Sequence, residues 1–169
     1  MKVDLFEASV GVFARGLHGF RTVLDKGAAF AESHGIEEAD LLAAKLYPNM
    51  LPLRRQAQIV CDFAWKTPAR AAGLEFPGEL EGESSLADIR TRIEEAQAFL
   101  GSLTPAQFEG RDEEPVTFPL GPENRTMPAG QYVLGFATPN FYFHYMAAYA
   151  ILRHLGVGLG KLDYFGAPG

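Results

Sequence analysis

The segment FEASVGVFARGLHGFRTVLDKGAAFA, residues 6–31, indicates that the chain is built on long helices. Its apolar residues recur every three or four positions, as they do on one face of an α-helix. That face consists of Phe6, Val10, Phe13, Leu17, Phe20, Leu24, Ala28 and Ala31. The predicted helix spans residues 5–33 and is on the order of 40 Å long. Among its internal glycines, Gly16 and Gly19 predict close packing against another element.

Two further bundle helices are predicted in the middle of the chain. The first extends from Pro52 to Gly73, and Pro68 is expected to kink or restart it. Its buried stripe is formed by Leu53, Ala57, Val60 and Ala64. After a loop over residues 74–84, the next helix begins at Ser84 or Ser85 with the Ser-x-x-Asp pattern of a capping box. Its seam is formed by Leu86, Ile89, Ile93, Ala96, Leu100 and Leu103.

Between residues 115 and 128 the apolar period changes from helical to alternating. Residues 121–124 then have the composition of a turn, so a small β-hairpin is predicted. The last helix spans residues 131–155, and an irregular tail follows. The seam of this helix is Ala137, Phe141, His144, Ala148, Ile151 and Leu155. The predicted fold class is mainly α, a four-helix bundle with a small β-hairpin before the last helix, and residues 1–169 are expected to form a single domain.

Charge and cysteine content exclude several classes of function. The chain contains 15 Lys and Arg against 21 Asp and Glu, and the basic residues are spread along it, so no nucleic-acid binding is expected. The one cysteine, Cys61, cannot form an internal disulfide. The N-terminus carries Asp4 and Glu7 where a signal peptide is apolar, and no uncharged run approaches the roughly 20 residues of a membrane span. A cytoplasmic protein without membrane association is therefore expected.

The sequence lacks the common catalytic motifs, including a phosphate-binding glycine loop, GxSxG, HExxH and paired CxxC. What stands out instead is a polar residue at an apolar position, since His144 lies on the seam of the last helix. Asn140 precedes it by four residues and shares its face. These two side chains mark the candidate site.

The second bundle helix offers polar residues that complement His144. Gln58 and Asp62 are four residues apart and adjoin Cys61. If their face meets His144, the bundle contains a polar pocket of His144, Asn140, Asp62 and Gln58 that binds a small ligand. A buried histidine bonded to such residues is also common as a satisfied core group, and both interpretations stay open. Cys61 is expected to be a small buried hydrophobe.

The last helix resembles that of a known superfamily. Residues 140–144 (NFYFH) and 150–157 (AILRHLGV) are similar to the closing segment of the DinB/YfiT-like superfamily of proposed metalloenzymes. His144 lies twelve residues before Gly156, which is the spacing of the second histidine in that superfamily's His-x-x-x-His motif. Residues 46–53 (LYPNMLPL) and 139–144 further resemble an uncharacterised branch, a domain of unknown function.

The resemblance implies a DinB/YfiT-like four-helix bundle and, in complete members, a divalent metal held by three histidines. His144 matches the second motif histidine and is the one metal ligand carried over, whereas Asn140 occupies the first position. The second bundle helix lacks the third histidine. A histidine at position 58 or 62, together with Asn140→His, is expected to restore the three-histidine metal site. Zinc or nickel should bind weakly if at all, because these metals prefer imidazole and thiolate to carboxamide.

Two functions are compatible with this degenerate metal site. The first is a bundle whose polar pocket around His144 binds a small ligand. The alternative is a metal- or thiol-dependent transferase or isomerase of the superfamily, with His144 as ligand or general base and Asp62 or Gln58 as its orienting group. The aromatic residues between positions 141 and 149 cannot all be buried by four helices, so a homodimer is expected.

Overall fold

The computed structural model describes residues 4–75 and 85–167. Four long helices dominate these ranges: α1 (Val12–His34), α3 (Leu53–Ala72), α4 (Leu86–Ser102) and α6 (Thr138–His154). The shorter elements are α2 (Glu38–Ala43), a 3-10 turn (Pro105–Phe108), β1 (Pro115–Leu120), β2 (Glu123–Pro128), α5 (Ala129–Gln131) and α7 (Lys161–Tyr164). Two π-helical turns, Glu7–Gly11 and Tyr132–Ala137, lead into α1 and α6. The predicted mainly helical fold class is confirmed.

The four long helices form a bundle around one contiguous core of buried apolar residues. Helix α3 packs against α6 and α4, and α1 packs against α4, α6 and α3. The predicted face of α1 points into this core, where Phe13, Leu17 and Phe20 are fully buried. A Cβ atom at Gly16 would overlap the Phe141 ring of α6. The glycine therefore permits the close helix packing that the sequence predicts.

The ends of α3 and α4 follow the signals in their sequences. Gly73 closes α3 in the left-handed conformation, with φ of 67°, and the helix continues through Pro68. Ser85 caps α4, because its hydroxyl accepts from the Asp88 N–H at 3.1 Å and its own N–H donates to the Asp88 carboxylate at 3.0 Å. The alternative start at Ser84 and most of the predicted loop, residues 76–84, lie outside the described residues.

The hairpin pairs β1 with β2 in antiparallel register, from Pro115 opposite Pro128 to Leu120 opposite Glu123. Val116 and Phe118 point inward and are buried. The Phe118 ring lies 4.9 Å from that of Tyr132 and 4.4 Å from that of Phe136, measured between centroids. The predicted hairpin is confirmed, and it packs on the segment that leads into α6.

The tail is more ordered than the predicted irregular segment, because it contains α7. Asp163 supports this short helix by accepting from the Gly160 N–H at 2.8 Å and pairing with Lys26 of α1. The Tyr164 ring stacks on Tyr145 at a centroid distance of 4.2 Å, and the Tyr145 hydroxyl donates to the Tyr164 carbonyl at 2.6 Å. Residues 168 and 169 lie outside the described residues. Tertiary contacts with α1 and α6 therefore order the tail.

Across residues 4–75 and 85–167, none of the helices is both long and apolar enough to cross a membrane.

Candidate functional site

The site is centred on His144 of α6, which lies at the edge of the core. Its neighbours Phe141 and Tyr145 are fully buried, whereas His144 is half-buried. The Nδ1 atom of His144 lies 2.7 Å from Oε1 of Gln56 on α3. This contact lies between the two helices that pack together most extensively, and it brings together one polar residue from each helix.

Gln56 determines which nitrogen of His144 carries the proton. Its Nε2 atom donates to the Leu51 carbonyl at 3.2 Å, so the amide oxygen faces the imidazole. An amide oxygen only accepts hydrogen bonds, and Nδ1 must therefore donate. The neutral ring then has its lone pair on Nε2. Among the residues that the structure describes, Nε2 has no hydrogen-bond partner.

The environment of His144 favours the uncharged ring. Burial lowers the pKa of His144 below its ordinary value of 6.5, because the imidazolium would lose part of its hydration. The Phe143 ring adds an apolar neighbour, edge to face at a centroid distance of 5.2 Å. At neutral pH the Nε2 atom is therefore a hydrogen-bond acceptor and not a cationic donor.

Asn140 shares the α6 face of His144, as predicted, but its side chain is engaged locally. Its Nδ2 atom donates to the Phe136 carbonyl at 2.7 Å. That carbonyl belongs to the π-helical turn Tyr132–Ala137, which comes directly before α6. Within residues 4–75 and 85–167, no hydrogen bond joins Asn140 to His144. The carboxamide therefore stabilises the entry to the helix, one turn away from the imidazole.

The predicted partners on α3 are engaged away from His144. Gln58 accepts a hydrogen bond from Nη1 of Arg55 at 2.7 Å. Asp62 pairs with Arg92 of α4 at 2.7 Å and with Lys66 at 3.4 Å. Both residues are buried or half-buried on α3, and in the part of the chain that the structure describes the imidazole is hydrogen-bonded to Gln56 and to neither of them.

Gln56 is the site residue that the predicted pocket omitted. It is only 2% exposed and lies three residues after Leu53 and four before Val60, both of which are fully buried. This spacing places it along the apolar stripe of α3. The sequence signal for Gln56 was therefore a polar residue at a position of the apolar stripe. The charged residues of α3 do not occupy this stripe.

The donor atoms present do not fit the three-histidine metal site that the resemblance implies. In the described part of the chain, no group of three or more His, Cys, Asp or Glu side chains is placed to hold an ion. Beside His144, the site offers the carboxamides of Gln56 and Asn140, which are poor ligands for zinc and nickel. Cys61 is buried, and desolvation raises the pKa of its thiol to about 12, so it is not available as a thiolate.

A helical bundle of this order, with a hairpin before its last helix and a histidine on the seam of that helix, is a DinB-like bundle. The chain belongs to the family described as a domain of unknown function (DUF1993), whose model matches residues 5–165. It is similar to a crystal structure of a DinB family member protein from Shewanella denitrificans, with a TM-score of 0.89 and 33% sequence identity over 97% of this chain and 93% of that chain. No curated protein matches the sequence significantly. The predicted superfamily and branch are confirmed.

Proposed function

We propose that this chain is a DinB-like bundle that binds a small molecule at His144 and whose metal site is degenerate. The observation that carries the proposal is the hydrogen bond between Gln56 and His144. It fixes the neutral ring with its lone pair on Nε2, so the ligand is a molecule that donates a hydrogen bond through an O–H or N–H group. Alcohols, amides and amines meet this requirement.

The partial exposure of His144 supports binding over a purely structural role. Histidines that serve only the fold are commonly buried with their polar atoms satisfied. Here one nitrogen is satisfied by a buried glutamine, while the residue remains partly exposed and its second nitrogen has no partner within the described residues. A ligand can therefore complete the hydrogen bonding of the ring without displacing a protein group.

The orienting group favours binding over acid–base catalysis. A carboxylate beside a histidine stabilises the imidazolium that forms when the ring takes up a proton. Gln56 is uncharged and gives no such stabilisation, and Asp62 is paired with Arg92. The alternative, a metal- or thiol-dependent transferase or isomerase, is supported by the superfamily resemblance and not by the donor set around His144.

Ligand-detected NMR with a library of small alcohols, amides and amines tests the proposal. Binders should be found with the wild type and lost with His144→Ala, which removes the acceptor. His154→Ala is the matched control, because His154 is an exposed histidine on the same helix. Binders that persist with His144→Ala, or a library without any binder, would contradict the proposal.

Metal analysis separates the two functions. Wild-type protein purified without chelators or an affinity tag should contain far less than one equivalent of zinc or nickel. One equivalent that is lost with His144→Ala but kept with His154→Ala would favour the metal-dependent alternative.

A further inference from the structure

The side chain of Asn140 carries an acceptor that its own helix does not use. Its Nδ2 atom donates to the Phe136 carbonyl at 2.7 Å, and a carbonyl oxygen cannot donate, so the amide nitrogen must face Phe136. The other end of the amide is then Oδ1, which has no hydrogen-bond partner among the residues that the structure describes. Asn140 is half-buried, and this oxygen is not one of the fully buried atoms without a partner in that part of the chain. A ligand can therefore reach it.

The same face of α6 carries a second acceptor. Nε2 of His144 accepts, because Nδ1 donates to Gln56. Residues four apart on a helix are neighbours, with Cβ atoms about 5–6 Å apart. Side chains on a helix also lean toward its N-terminus, so the imidazole extends toward the turn that carries Asn140. Two acceptors therefore lie beside each other at the site.

A pair of neighbouring acceptors selects ligands by their number of donors. An alcohol has one O–H group and can satisfy only one of the two, whereas a primary amide or amine has at least two N–H groups on one nitrogen. Two hydrogen bonds of about 2.9 Å from one nitrogen span acceptors roughly 5 Å apart, which is close to the spacing of neighbouring residues on a helix. The second acceptor thus favours a nitrogen that carries two hydrogens.

The charges around the site favour an amide over an amine. Both acceptors are neutral, and the glutamine that orients His144 is neutral as well. The two residues before Gln56 on α3 are Arg54 and Arg55, which give an ammonium no counter-charge. An ammonium would lose part of its hydration here without a carboxylate to compensate for it. A carboxamide offers the two N–H donors without that cost.

We propose that the ligand of the His144 site is a primary carboxamide, whose NH₂ group donates one hydrogen to Nε2 of His144 and the other to Oδ1 of Asn140. This inference rests on the proposed function and names the class of ligand within it. It gives Asn140 two contacts, since Nδ2 stabilises the entry to α6 while Oδ1 binds the ligand.

Three amides with two, one and no N–H groups test this inference: butyramide, N-methylbutyramide and N,N-dimethylbutyramide. Their affinities can be compared by NMR titration of the labelled protein. Butyramide should bind about fivefold more tightly than N-methylbutyramide, which is the effect of one hydrogen bond, and N,N-dimethylbutyramide should not bind. Butylamine, the charged probe of similar length, should bind more weakly than butyramide.

Asn140→Leu distinguishes the second hydrogen bond from the bulk of the added methyl group. It removes the acceptor, so butyramide and N-methylbutyramide should bind equally, whereas a loss of stability alone would weaken both alike and keep their ratio. Asn124→Leu is the matched control, because Asn124 is exposed on β2 and its replacement should keep the fivefold ratio. If Asn140→Leu does not fold, Asn140→Asp replaces it, and its carboxylate should make butylamine bind more tightly than butyramide.

His144→Ala separates the two proposals, because it should abolish the binding of every amide. If it does so while butyramide and N-methylbutyramide bind the wild type equally, the proposed function stands and the carboxamide inference is overturned. If butyramide binding persists in His144→Ala, both are overturned. The inference alone is also overturned by a butyramide preference that persists in Asn140→Leu, by tighter binding of butylamine than of butyramide to the wild type, or by a wild type that binds alcohols but no amide.

Discussion

The hydrogen bond between Gln56 and His144 can be measured by a double-mutant cycle. Gln56→Met preserves the length of the side chain but removes both the acceptor for His144 Nδ1 and the donor to the Leu51 carbonyl. His144→Leu removes the donor and leaves the oxygen of Gln56, a residue only 2% exposed, without its partner. The double variant removes both ends of the bond together.

The expected magnitudes follow from these contacts. Each hydrogen bond contributes about 0.5–1.5 kcal/mol, so the two bonds of Gln56 predict a loss of about 1–3 kcal/mol for Gln56→Met. His144→Leu should also lose about 1–3 kcal/mol, because a buried acceptor without a partner keeps its desolvation penalty. That penalty is absent from the double variant. Its loss should therefore be smaller than the sum of the single losses by about 1 kcal/mol.

Urea-induced unfolding followed by circular dichroism gives the four free energies of unfolding, provided that the pH is well above the ordinary pKa of histidine. The control cycle combines Gln56→Met with His154→Leu on the exposed side of α6. Its effects should add within about 0.3–0.5 kcal/mol. Equal additivity in the Gln56–His144 cycle would refute the hydrogen bond as an energetic link between α3 and α6.

Three further predictions concern the charge of His144, a restored metal site and the oligomeric state. The pKa of His144 is lowered from 6.5 in the folded state, so the unfolded chain binds the proton more readily. The stability gained from the neutral ring is therefore complete above pH 6.5 and is lost as the pH falls through the folded pKa. The difference in unfolding free energy between wild type and His144→Leu should accordingly shrink in acid, and a difference independent of pH would contradict this. The double variant Gln56→His with Asn140→His should gain about one equivalent of zinc or nickel by elemental analysis, and its melting temperature should rise with added metal. The control variant Gln58→His with Asn140→His should gain no metal. Light scattering of the wild type should report about twice the chain mass of 18.5 kDa. Phe143→Glu should yield a monomer, because Phe143 is 63% exposed on α6. A wild-type monomer at high concentration would count against the dimer.

Periodicity predicted the long helices well because their buried faces are continuous. The stripe of α3 and the seam of α4 match the buried residues, and the Ser85 cap follows from local hydrogen bonding. The π-helical turn Tyr132–Ala137 was not predictable in this way, since a one-residue expansion leaves the apolar spacing nearly helical. The order in the tail depends on contacts with α1 and α6, which are distant in sequence.

The structure keeps the two predicted residues of α6 on one helix face, and it brings a different residue of α3 into contact with His144. His144 and Asn140 follow from one helix face, and the structure places both on it. Helix α3 packs against α1, α4 and α6, so more than one of its faces is buried. Gln56 and Gln58 are 2% and 8% exposed. Burial therefore does not distinguish them, and only the rotation of α3 in the bundle decides which one meets the imidazole.

That rotation also decides where the superfamily's third histidine would have to be. Gln58 lies about 200° around α3 from Gln56, since each residue turns an α-helix by about 100°. Asp62 is similarly turned away and pairs with Arg92 of α4. A histidine at position 58 or 62 would therefore not meet His144, whereas one at position 56 would replace the side chain that already lies 2.7 Å from it. Under the proposed function, the amide at position 56 has two linked effects. It contributes no imidazole beside His144, and it fixes the His144 ring as a neutral acceptor for a ligand.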